Sequence, residues 1–148
     1  MSPFDSRSNA PAEALARLRA AHDEITFRLN ALAQVFDGGG PADSDYVAAR
    51  WHLTKASRAR WLMLSNEIFP LLQDRGAWTD EIAALHADGA VQQDASVAHV
   101  SRWPLRAAIA DWEDYREASN RIRAGMRERI AREARVLYPA LEALAARG

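Results

Sequence analysis

RARWLMLSNEIFPLL, residues 58–72, returns 69 residues later as RERIAREARVLYPAL, residues 127–141. Both copies carry an arginine ten residues before a proline, Arg60 before Pro70 and Arg129 before Pro139. Both also place an aliphatic-aromatic pair directly ahead of that proline, Ile68-Phe69 in one and Leu137-Tyr138 in the other. Identity between the copies is modest. A recurrence at about half the chain length is nevertheless what two helical hairpins of one antiparallel four-helix bundle leave in a sequence.

Working outward, punctuation and period predict helices near 11–37, 44–74, 79–103 and 111–145. Pro11 suits a first helical turn, and Gly38-Gly39-Gly40 is the strongest breaker in the chain. Between them Leu15, Leu18, His22, Ile25, Leu29, Leu32 and Phe36 recur in steps of three and four, an apolar stripe with one polar member. The second helix starts at Asp43 or Ser44 as cap. Its stripe runs Val47, Arg50, Leu53, Ser57, Arg60, Leu64, Ile68 and Leu71 toward Gly76. Thr79 caps the third, with Asp80 and Glu81 in its first turn. That stripe (Ile82, Leu85, Gly89, Gln92, Ser96, Val100, Trp103) is poor in apolar residues. Trp103-Pro104 marks a break, Leu105 to Ala110 a short helical connector, and Asp111 the cap of the fourth helix. Tyr115, Ile122, Met126, Arg129, Glu133 and Val136 form the last stripe, flanked by Ile130, Leu137 and Leu141. The two late prolines are expected to break or kink their helices locally.

Composition narrows the function classes. The 148 residues are 49% hydrophobic and 26% charged with a net charge of -1, so no nucleic-acid footprint or polybasic membrane patch is indicated. With no cysteine there are no disulfides, thiolate ligands or cysteine nucleophiles. Met1 to Asn9 is polar without an apolar export signal, and no apolar run approaches membrane-spanning length. The expectation is a cytoplasmic protein, with a flexible segment over 1–10 and a single domain over 11–148.

His22, Arg60, Arg129 and Glu133 sit where period alone predicts burial, midway along three helices. Charge there is costly unless partners converge. Two readings stand side by side. The arginine stems lie along helix edges and reach solvent while His22 is a neutral core histidine. Alternatively, Glu133 gathers one or both guanidiniums and His22 into a central polar cluster.

The paired helix endings, the pattern Leu15, Leu18, His22, Ile25, and REARVLYP over 132–139 together resemble the hemerythrin-like, or HHE cation-binding, domains. The resemblance spans about Ala14 to Leu144 and is weak across the third helix. It implies an all-α, up-and-down four-helix bundle whose interior holds a carboxylate-bridged iron pair for binding or sensing oxygen. It also implies histidine ten, and glutamate six, residues before each helix-ending proline. This chain departs at those positions. His22 and Glu133 remain, but Arg60 and Arg129 stand for the histidines and Leu64 for the other carboxylate. A guanidinium has no lone pair for a metal and repels cations.

A rebuilt metal site finds few donors. His52 lies about 12 Å from Arg60 along the helix, His86 and His99 fall on the poorly matched third helix, and Glu67 is too near the proline to replace Leu64. No serine is placed by motif as a nucleophile beside His22 and Glu133, and Gly38-Gly39-Gly40 lacks the residues of a phosphate loop. Of the five tryptophans (51, 61, 78, 103, 112), Trp51 or Trp61 on the surface would read as a partner site.

The reading is therefore a hemerythrin-like bundle with a degenerate diiron site. It is a non-enzymatic binding or signalling module without a cofactor, and its partner is a protein or a second copy of the chain. One rival is a metal-binding oxygen or redox sensor with a site rearranged around His22 and Glu133. Another is an enzyme using the cavity left by the metals.

Overall fold

A computed structural model describes residues 10–38 and 44–147. The expected N-terminal segment through residue 9, Gly39 and Gly40, and the capping side chain expected of Asp43 or Ser44 lie outside what is described. Among the described residues the fold is all helical, with no strand. Helix α1 spans Ala10–Gly38, α2 Ser44–Met63, α3 Phe69–Asp74, α4 Asp80–Arg102, α5 Leu105–Ala110 and α6 Trp112–Arg147.

The stripe of α1 is buried from Leu15 to Phe36, His22 included, because steps of three and four keep its members on one face. The second predicted helix is not uniform. A π turn, Leu64–Ile68, separates α2 from α3, with the Phe69 N–H bonded to the Leu64 carbonyl. The wider turn admits one extra residue, and the buried line continues as Leu64, Ile68 and Leu72, leaving Leu71 half-buried. Pro139 interrupts nothing: α6 runs through it to Arg147. Arg135, whose carbonyl loses its usual donor to that proline, is exposed, so water can serve it.

Single residues fix the turn between α3 and α4. Gly76 adopts φ +69°, Gly76 N–H bonds Gln73 O at 3.2 Å, and Ala77 N–H bonds Leu72 O at 2.8 Å. This is a Schellman closure, which needs a left-handed residue that glycine supplies without strain. Thr79 Oγ1 then accepts the Ile82 N–H at 3.1 Å, capping α4.

The apolar core has two parts. At one end Leu15, Leu18, Leu64, Ile68, Leu85 and Leu141 pack together, and both proline-ending segments contribute to it through Ile68, Phe69 and Leu137. At the other, Ile25, Leu29, Phe36, Tyr46, Tyr115 and Met126 form a second, more aromatic cluster. Several expected stripe positions lie elsewhere. Val47 and Val100 are exposed, with Tyr46 taking the inner place at the start of α2. In α6, Ser119 and Arg123 are buried although the stripe omitted them. Val100, Ser119 and Arg123 border a gap between α2 and α4.

Candidate functional site

Between the two apolar clusters lies a polar layer built from three helices. His22 projects from α1, Arg60 from α2, and Arg129 and Glu133 from α6, the last two on one face at i and i+4. All four are buried, and Glu133 is wholly excluded from solvent. Its Oε1 bonds His22 Nε2 at 2.9 Å. Its Oε2 takes the Arg129 Nε–H at 2.7 Å and a second, shorter bond from Arg60 Nη1. An ionised carboxylate only accepts, so His22 Nε2 carries a proton. Nδ1 pairs with the Tyr138 hydroxyl at 2.6 Å, so both ring nitrogens are engaged. The Tyr138 ring also stacks on His22, and Arg19 lies over the Tyr138 ring.

The electrostatics follow from burial against charge. Burial alone would push the Glu133 carboxyl up, but the His22 hydrogen bond and the Arg60 and Arg129 charges outweigh it and hold it below the ordinary carboxylate range. Burial draws Arg129 below the usual guanidinium range, with the Glu133 charge opposing it. Two guanidiniums against one carboxylate leave a positive interior. Three of their donor atoms, Arg60 Nε and both Arg129 terminal nitrogens, have no hydrogen-bond partner among the described residues. Space for Arg129 comes from Gly89 on α4: a Cβ there would stand 2.5 Å from Arg129 Nη2 and 3.2 Å from the Trp61 ring.

A carboxylate with a depressed folded-state pKa binds fewer protons in the folded chain than in the unfolded one. Its stabilisation is therefore complete above the unfolded value of about 4.3 and is lost as pH falls through the folded value. Chemical denaturation at pH 7 and at about pH 3 should show a larger loss on acidification for the parent chain than for Glu133→Gln. Equal losses would mean that Glu133 titrates alike in both states.

The remaining nominated residues lie apart from this layer. His86 is exposed, edge-on to Phe69 and Trp78, and Glu67 is exposed and paired with Arg17 at 2.8 Å. His52 is half-buried beside Trp51, which is itself exposed. No group of three or more His, Asp or Glu side chains among the described residues is placed to hold a metal ion. The guanidiniums at Arg60 and Arg129 and the aliphatic Leu64 have nothing to give an iron pair.

A cavity of 430 Å³ opens between α2 and α4, one helical turn from the polar layer. Ser57 lies three residues before Arg60 and Met126 three before Arg129, and both line it. Trp61 stands between the two regions, lining the cavity and bordering Gly89 beside Arg129. Among the described residues the cavity's lining includes three arginines, Arg50, Arg58 and Arg123, and no aspartate or glutamate. His99, stacked on Tyr115, is also there, its pKa lowered by burial and then by the Arg50 charge. Sequence reading missed this feature because Ser119 and Arg123 look like surface residues. The same holds for Tyr138 as the partner of His22, although its place in the repeated motif was a signal.

Comparison with family models, curated proteins and solved structures gives no match to this chain.

Proposed function

We propose that the chain is a divergent hemerythrin-like protein whose polar layer stands where the family holds its iron pair, and that it acts as a non-enzymatic binding or regulatory module. The observation that carries the reading is Glu133: buried completely, it is held by His22, Arg60 and Arg129 from three helices. Those are the positions to which the resemblance assigns ligands. Fixed cations then take over the role of holding the carboxylate. An up-and-down four-helix arrangement is supported by packing. Leu15 and Leu18 share a cluster with Leu137 and Leu141, while Leu29 and Phe36 share one with Tyr115 and Met126, so α1 and α6 run oppositely.

The rival metal sensor would need Arg60 and Arg129 to swing out and abandon charge-assisted bonds, which are stronger than neutral ones. An enzyme reading finds both His22 nitrogens engaged and none of the four clustered residues lining the cavity. No helix among the described residues is long and apolar enough to cross a membrane. A cytoplasmic module whose partner is a protein or a second copy of the chain, with no nucleic acid or membrane, fits a net charge of -1. The direct experiment is metal analysis with an absorption spectrum on protein purified from iron-supplemented cells. Folded, colourless protein with far less than one iron per chain is expected. Stoichiometric iron would overturn the reading.

A further inference from the structure

One wall of the α2–α4 cavity holds a buried cation with no ion-pair partner among the described residues. Arg123 is 8% exposed, yet its partners are the Ser119 hydroxyl, the Asn120 side-chain oxygen and the face of Phe36. Arg50, on the facing helix, donates to the Tyr46 hydroxyl and to the Trp103 carbonyl and lies over Tyr115. Neither forms an ion pair among the described residues, and exposed Asp37 acts on Arg123 only through space. A buried guanidinium without a counter-charge is costly, and hydroxyls and rings offset only part of that cost. Most of the cavity surface is apolar, from Leu53, Trp61, Ile122 and Met126, with hydroxyls such as Ser57 and Ser96 between them, and Leu62 and Val97 stand exposed at its mouth. A mostly apolar hollow of 430 Å³ with a few convergent polar groups has the size and character of a small-molecule site.

We propose that this cavity binds an amphipathic monocarboxylate, its carboxylate against Arg123 and Arg50 and its apolar chain running past Trp61 toward the mouth between Leu62 and Val97. Three lining arginines, with no acidic side chain in the lining among the described residues, select for a negative head. The apolar walls select for a hydrocarbon body, since each buried methylene adds favourable transfer energy. The polar layer is not part of the site. Its unpartnered donors on Arg60 and Arg129 lie behind Trp61, outside the lining.

The inference gives the binding module proposed above a ligand class and rests on that reading only in asking for a ligand rather than a metal. Iron content tests the one and the following titration the other. The full chain is titrated with decanoate and, separately, with decanol, followed by tryptophan fluorescence, which Trp61 should report. Saturable one-to-one binding of decanoate is expected, with decanol weaker by about tenfold or more for want of a charge-assisted bond. Arg123→Gln should weaken decanoate by a similar factor and leave decanol unchanged. Ser96→Trp, placed in the half-exposed cavity wall, should abolish both. Absence of saturable binding, equal affinity for decanol, or decanoate binding untouched by Ser96→Trp would each overturn the proposal. The last two comparisons stand even if Arg123→Gln fails to fold.

Discussion

Glu133→Ala is expected to lower the unfolding free energy by about 3–5 kcal/mol, because it strands two buried guanidiniums without their shared acceptor. The same physics predicts a much smaller effect for removing all three ions. Replacing Arg60, Arg129 and Glu133 together by Met, Met and Leu should be near neutral, since avoided desolvation of the ions, about 1–4 kcal/mol, offsets a cost of about 1–3 kcal/mol for leaving His22 Nε2–H without its acceptor. Urea denaturation, with midpoint and slope compared across the parent, single and triple variants, checks both. A loss below about 1 kcal/mol for the single variant, the range of solvent-exposed pairs, would place the carboxylate in water. A large loss for the triple variant would mean that the layer contributes net stability beyond satisfying itself. If the layer is neutral on balance, its role is to fix how α1, α2 and α6 meet rather than to hold them together.

Two glycine-to-alanine substitutions should move stability in opposite directions. In an open helix the change gains up to about 1 kcal/mol, and Gly125 offers that case, its nearest contact being Gln92 Nε2 at 3.9 Å. Gly89→Ala instead drives a methyl group to 2.5 Å from Arg129 Nη2 and 3.2 Å from Trp61. The guanidinium cannot yield freely while Glu133 holds its Nε, so the overpacking cost of about 1–3 kcal/mol should exceed the helical gain. Thermal unfolding of the two variants gives the comparison. A Gly89→Ala protein as stable as Gly125→Ala would show that Arg129 is free to move aside.

What could be read in the letters depended on whether a single residue or a summed pattern carried the information. Gly76 and Thr79 announced their turn because left-handed backbone and an orphan amide each select few residue types. The stripe of α1 was equally plain, one apolar face with a lone histidine. Along the second predicted helix the period failed after Ile68, because a wider turn moves the buried place from Leu71 to Leu72 and no residue type marks a π turn. In α4, Ser96 and Val100 made a weak stripe for a physical reason: the side they face is a hollow rather than packed protein, while Gln92 donates to the Gly125 carbonyl of α6. The four polar residues were conspicuous as interruptions of apolar rows. Their partner Tyr138 was hidden inside a motif that looked like packing, and Arg123 was hidden because a buried, unpaired arginine is what local pattern least anticipates.

The repeated segment that opens the chain's logic also limits it. Both copies count ten residues from arginine to proline, yet the first is wound with a π turn after Leu64 and the second is α-helical throughout. The paired aromatics have parted accordingly: Phe69 is buried against Trp78 and His86, while Tyr138 turns to the imidazole of His22. The recurrence is thus preserved as spelling but not as shape. The two segments differ in winding from Leu64 onward, and the second places a buried carboxylate, Glu133, where the first has Leu64.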